Sequence, residues 1–182
     1  MADTQRELKV AQTMDHVWDF VSDMGNWASQ MPGYVSHETS TENDSVWTLN
    51  VDIGPFQREI VVDVHVVRWA SPSQVDFEVK GRYEPFSGGG AFRAEPSGET
   101  TEIMLAFNAE PSGSMAKMIT PLVGPVLERL ANQFTFNLGN ALGGALGTDE
   151  EASGHLMPNF LKRFTQRLIA IICKLTGRGR QS

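Results

Sequence analysis

The sequence predicts an α+β domain: a curved antiparallel sheet of six to seven strands around one long helix near its C-terminal end, with an amphipathic tail helix beyond. Three patterns carry this. Between residues 34 and 109, segments of alternating apolar and polar residues are separated by turn-forming clusters, as in strands with one covered face. Residues 114–142 repeat apolar side chains at three- and four-residue steps, as in a helix laid on a sheet. Residues 157–175 repeat that periodicity with basic flanks.

The chain has 182 residues, 41% hydrophobic and 20% charged, enough for one domain with a sizeable core plus an appendage. Its first ten residues are polar and charged, so no secretory signal is expected. The longest apolar run, Leu168–Cys173, is far short of the roughly 20 residues that cross a bilayer. A single cysteine, Cys173, excludes an internal disulfide and a cysteine-built zinc cage. Residues 1–154 hold all 22 acidic and nine of the 15 basic side chains, whereas residues 155–182 hold six basic ones and no acid. An acidic body with a basic tail argues against nucleic acid as the ligand of the body. A cytoplasmic protein is expected.

Residues 5–12 suit a first strand. Val17, Trp18, Phe20 and Val21 cluster as on a short helix capped by Asp15 or Thr13, and a second short helix carrying Trp27 and Met31 ends at Pro32-Gly33. Strands follow over Tyr34–Thr41, Val46–Ile53, Phe56–Trp69, Gln74–Tyr83, Gly88–Glu95 and Thr100–Ala109. The covered parity is Trp47, Leu49, Val51 and Ile53; Ile60, Val62, Val64 and Val66; Val75, Phe77 and Val79; Phe92 and Ala94; Ile103, Leu105 and Phe107. Gly88–Gly90 reads as a bulge or turn at a strand start rather than a phosphate loop. The long helix over Ser114–Leu142 would measure about 35–40 Å. Met115, Met118, Ile119, Leu122, Val126, Leu130, Phe134 and Leu138 form its stripe, and Pro121, Gly124 and Pro125 are expected to give a kink or a broken first segment, the regular part beginning near Pro125.

A strongly curved sheet and a straight helix do not match in shape, so a space lined by the covered parity is expected between them. Its best ligand contacts would be Phe77, Phe92, Leu105, Phe107, Met118, Leu130 and Phe134. Tyr83, extending the row of Phe77, would stand at its mouth, and His37, on the parity of Val35, would reach in to bond a ligand carbonyl. The four histidines show no paired metal spacing, so no metal site is expected, and no nucleophile or dinucleotide motif occurs. Asp63, Asp76, Glu78 and Glu102 fall on the outward parity, which takes paired acid–base catalysis away from the space.

The stretch VWDFVSDMGNWASQMPG resembles the signature of proteins like the G subunit of carbon monoxide dehydrogenase. VDIGPFQREIVVDVHV resembles the strand–Gly-Pro–strand hairpin of the same family, and VLERLANQFTFNL its terminal helix. The element order resembles the helix-grip fold of the START-like (SRPBCC) superfamily. Met31 stands for the usual leucine, and the bulky Tyr34 follows the glycine. The resemblance implies a non-enzymatic carrier of a hydrophobic molecule, with a quinone as carried ligand and no covalent or metal cofactor. It also implies association with a molybdenum-type carbon monoxide dehydrogenase at the inner face of the cytoplasmic membrane. A polyketide cyclase or aromatase-like enzyme on the same fold, and a ligand-free adaptor, are the alternatives; Arg82 and Arg93, on outward parity, weaken the cyclase.

Three parts are expected: a ligand-binding domain over 1–142, a flexible linker over 143–156, and a basic amphipathic helix over 157–176. Gly139, Gly143, Gly144 and Gly147 would end the long helix and supply the linker. In the tail, Met157, Phe160, Leu161, Phe164, Leu168, Ile171, Ile172 and Leu175 share one face, with Lys162, Arg163, Gln166, Arg167 and Lys174 beside or opposite it. That composition fits an anionic bilayer surface. The expected membrane contacts are Phe160, Leu161, Lys162, Arg163, Phe164, Arg167, Leu168, Ile171, Ile172, Lys174 and Leu175. Docking on a partner or on the chain's own domain is the alternative.

Overall fold

The computed structural model describes residues 1–53, 56–114 and 116–145. In chain order the described elements are β1 (Ala2–Val10), α1 (Met14–Val21), α2 (Met24–Gln30), β2 (Tyr34–Thr39), β3 (Asp44–Ile53), β4 (Phe56–Ala70), β5 (Gln74–Gly81), β6 (Phe86–Ser97), β7 (Thr100–Pro111) and α3 (Ala116–Ala141). The expected tail helix, its membrane-contact residues and the linker beyond Ala145 lie outside the described residues.

The two short helices start where side-chain oxygens satisfy their first backbone donors. Thr13, in extended conformation, accepts from the His16 N–H, and Asp23 accepts from the Gly25 N–H at 2.7 Å. The cap of α1 is therefore Thr13, with Asp15 in the first turn, where a negative charge suits the helix dipole. Trp27 Nε1 donates to the Val21 carbonyl at 2.7 Å, which ties α2 to α1 while the indole enters the core.

The seven strands form one sheet in the order β1-β7-β6-β5-β4-β3-β2, antiparallel at every pairing. The chain starts on one edge, crosses through α1 and α2 to the other, and returns strand by strand. The alternation does what it predicts: Val62, Val64 and Val66, Val75, Phe92 and Ala94, and Ile103 and Leu105 are buried on the inner face. The β5–β6 and β6–β7 ladders run through Gly88–Gly90 with no register shift. These glycines are thus mid-strand positions rather than a bulge or turn.

α3 runs unbroken from Ala116 through both Pro121 and Pro125, so of the expected kink or broken first segment the break is absent. Both prolines lie on the exposed side of the helix, where water can serve the carbonyls they leave unpaired. Gly139 sits inside α3, where an added Cβ would stand 3.2 Å from Ala145 Cβ and 3.4 Å from Leu8 Cδ1; it is a close-packing position, not linker. The helix ends as Gly143 and Gly144 take φ of 92° and 99°, with the Gly144 N–H donating to the Gly139 carbonyl. Ala145 then bridges to Val10 of β1.

Candidate functional site: an apolar cavity under the long helix

The second half of α3 is the part that grips the sheet. Ala131, Phe134, Thr135, Leu138 and Gly139 are buried, whereas no described residue from Ala116 to Leu130 is. Under Leu127, Leu130, Ala131 and Phe134 lies a cavity of about 150 Å³. Its floor is Trp47, Leu49 and Val51 of β3, Ile60 and Val62 of β4, Phe77 and Val79 of β5, and Phe107 of β7. Met24, Trp27 and Met31 close one side and Phe86 the other. Phe134 stacks within 5.8 Å of Trp27 and 5.7 Å of Phe107, and Phe77 meets Trp27 at 5.6 Å, ring centroid to centroid.

Gly88 explains part of the space. It lines the cavity and faces inward opposite Val79, so one side chain is missing from the floor, whereas over Gly90 the Phe77 ring takes that place. A Cβ on Gly90 would stand 2.2 Å from the Ala106 carbonyl oxygen and 2.7 Å from Phe77 Cζ. The backbones approach too closely there for any other residue.

The ionisable groups lie elsewhere. No described lining residue is ionisable, and no described cluster of His, Cys, Asp and Glu could hold a metal ion. On the outer face Asp63 pairs with Arg82, Lys9 with Glu102, and Arg93 with Asp76. The last pair is outward, as expected, yet Arg93 is 6% and Asp76 8% exposed. Arg93 Nη2 lies 2.7 Å from Asp76 Oδ1, close enough for charge pairing but out of line for a hydrogen bond. Burial pushes the Arg93 guanidinium below its ordinary value, and Asp76 opposes that; the Asp63 hydrogen bond raises Arg82.

Of the nine expected ligand contacts, Phe77, Phe107, Leu130 and Phe134 line the cavity. Phe92 and Leu105 face inward but are sealed in the closed core, Phe92 by Trp27 at 5.9 Å. Met118 is 65% exposed. The stripe drawn through it climbs in four-residue steps, each overshooting a full turn by about 40°, so after four steps it has left the face of Phe134. Tyr83 is 77% exposed, because β5 stops at Gly81 and the next loop folds back over it: an added Cβ on Gly81 would meet the Glu84 carbonyl at 2.5 Å. His37 faces inward by a different route than its parity with Val35. A register shift between Tyr34 and Ser36 puts Tyr34 and His37 on one face, their Oη and Nδ1 2.9 Å apart, and Val35 outside. His37 packs on Gly25 of α2 rather than lining the cavity.

One residue pair went unread in the sequence. Arg58 stands opposite Val51 in the β3–β4 ladder, on the face of Ile60, and so adjoins two lining residues without lining the cavity itself. Its Nη2 is 2.6 Å from Glu84 Oε1. Alternation along β4 marks Arg58 as inward, but a charge at the end of a valine-rich strand reads as solvated.

Comparison with known proteins places this architecture. A family model for the carbon monoxide dehydrogenase G subunit (CoxG) matches residues 7–143. A search of curated proteins found no match. Among solved structures, the chain is similar to a conserved protein from Geobacillus kaustophilus (19% identity, TM-score 0.67, covering 78% of this chain and 95% of that one). It is also similar to the ZhuI aromatase/cyclase from Streptomyces sp. R1128 (16%, 0.59, 85% and 98%) and to a START superfamily protein from Mycobacterium smegmatis (17%, 0.56, 78% and 99%). These likenesses show the helix-grip fold.

Proposed function

Because the chain belongs to the CoxG family, that of the carbon monoxide dehydrogenase G subunit, we propose that it binds a hydrophobic molecule, a quinone or lipid, without catalysing a reaction. The observation that carries this is the apolar cavity under Leu130, Ala131 and Phe134, with no ionisable group on its described lining. Acid–base or nucleophilic chemistry needs a titratable group within hydrogen-bond reach of the reacting atom. An apolar wall instead favours a ligand by removing its hydrocarbon from water. Trp27, Phe77, Phe107 and Phe134 would make the contacts.

The finer reading follows from the family and the tail. The basic amphipathic segment over 157–176 would hold the protein reversibly at the anionic inner face of the cytoplasmic membrane, where quinones and lipids reside. There it would bring in a partner oxidoreductase such as a molybdenum-type carbon monoxide dehydrogenase. No described helix is long and apolar enough to cross a membrane, which accords with a peripheral attachment.

Mass spectrometry of the solvent extract of the full chain, purified from its own membranes, tests this. A co-purifying prenylated quinone or lipid is expected. A chain that carries no hydrophobic molecule contradicts the reading, and turnover of a polyketide mimic would put an aromatase/cyclase-like enzyme in its place.

A further inference from the structure

We infer that the ligand enters the cavity hydrocarbon end first, and that its polar head, a neutral one, is held at the mouth by Arg58, whose charge Glu84 neutralises. This rests on the cavity being a ligand site, as proposed above, and adds which part of the ligand it takes.

The inner wall offers a polar head nothing. Both indoles that line it have spent their only donor: Trp27 Nε1 on the Val21 carbonyl at 2.7 Å, Trp47 Nε1 on Ser45 Oγ at 2.9 Å. The backbones of Gly88 and Gly89 are engaged in the ladders on either side, and Asn108, the amide residue on the described lining, alternates with inward Phe107, which places its side chain on the outer parity. A carbonyl or hydroxyl pushed inside would exchange its water partners for none, whereas a methylene or prenyl group loses no partner by entering. Size points the same way. About 150 Å³ is the volume of an apolar cavity that admits a benzene-sized group, so only the end of a longer chain fits inside, and its middle methylenes loop outside between that end and a head at the mouth.

The mouth offers what the interior lacks. Arg58 borders the lining residues Val51 and Ile60, and its side chain is 68% exposed although Nη2 touches Glu84 Oε1. A guanidinium has five N–H donors, and this contact engages one nitrogen. Beside it Glu84 is the counter-charge that holds Arg58, and its Oε2 is buried, so the donors that face outward are those of Arg58. Arg58, already neutralised by Glu84, offers donors rather than net charge, which suits a neutral head that accepts, such as an alcohol or a ring carbonyl, over a carboxylate.

Bromine quenches indole fluorescence on contact, which makes Trp27 and Trp47 the reporters. The full chain is titrated with hexadecanol brominated on its terminal carbon and with hexadecanol brominated near its hydroxyl. The titrations are repeated in a Trp18→Phe/Trp69→Phe background. The unsubstituted chain gives the same comparison as a partial quench, because Trp18 and Trp69 pair with each other and neither lines the cavity. Strong quenching by the terminal bromine alone, abolished by Ala131→Leu, is the expected result. Quenching by the head-end bromine, or equally by both, overturns the orientation while leaving the ligand site standing. No binding of either isomer overturns the site itself, and the inference with it. In Arg58→Gln, hexadecanol affinity should fall about tenfold with benzene binding unchanged; equal affinity for hexadecanol removes Arg58 as the head's partner. Unlabelled geranylgeraniol and unlabelled hexadecanol as competitors separate an isoprenoid from an alkyl ligand. Failure of both to displace the brominated chain overturns the inference.

Discussion

Replacing Phe134 by alanine tests whether the second half of α3 is clamped to the sheet through its aromatic cluster. Phe134 is 2% exposed, with its ring 5.8 Å from Trp27 and 5.7 Å from Phe107. Truncating a buried phenylalanine removes about 3–5 kcal/mol, counting both lost transfer energy and the hole left behind. The upper half of that range applies here. The new hole opens onto an existing cavity, so the surroundings cannot collapse to fill it, and two aromatic contacts of about 0.5–1.5 kcal/mol each go with the ring. For a domain of this size the melting temperature should fall by roughly 8–20 °C. Urea and thermal melts of the full chain, followed by circular dichroism, read this directly. Benzene supplies a second reading, because a ligand that binds only the folded state raises stability by mass action. Saturating benzene should raise the melting temperature of Phe134→Ala more than that of the parent. A loss below about 1 kcal/mol, or no difference in the response to benzene, would refute the clamp.

Three further outcomes follow from other parts of the molecule. Asp76→Ala leaves Arg93 buried without its counter-charge and should cost about 3–5 kcal/mol in urea melts, most of it recovered in Asp76→Leu/Arg93→Met; equal losses in both variants contradict this. Asp44 lies below its ordinary value of 3.8, first through the Thr41 hydroxyl and then through His65. A depressed folded value means that its contribution is fully present above about 3.8 and is lost as pH falls through the lower folded value, so Asp44→Asn should show a shallower loss of stability below about pH 4. An unchanged acid slope would deny Asp44 that role. The full chain should sediment with anionic liposomes and a chain ending at Gly147 should not; equal sedimentation removes the tail from the proposal.

Much of the fold was legible because one covered face per strand leaves a parity that the sequence displays. Val62, Val64 and Val66, Phe92 and Ala94, and Ile103 and Leu105 stand buried where alternation put them. Thr13 and Asp23 announce their helices by chemistry that acts within three residues. The site was less legible, and each miss has a local cause. Parity fails across the irregular step at Val35, which turns His37 toward α2. It also ends with the strand at Gly81, which throws Tyr83 outward. A chain of four-residue steps drifts around α3, so Met118 was assigned to a face that belongs to Leu127. Phe92 and Leu105 show that inward parity separates core from surface but not core from cavity; that depends on what packs above each side chain, as Trp27 does on Phe92. The depth made at Gly88 is the absence of a side chain, and an absence has no hydrophobic signal.

Ala131 offers the most direct trial of the cavity. Its methyl group is buried on α3 facing the empty space, so Ala131→Leu fills the hollow from the helix side while keeping a strong helix former. Native mass spectrometry of the full chain and of this variant, both purified from the same cells, compares their ligand loads. A hydrophobic adduct on the parent and none on the folded variant is the expected result; the same adduct on both, or none on either, contradicts a ligand held under α3.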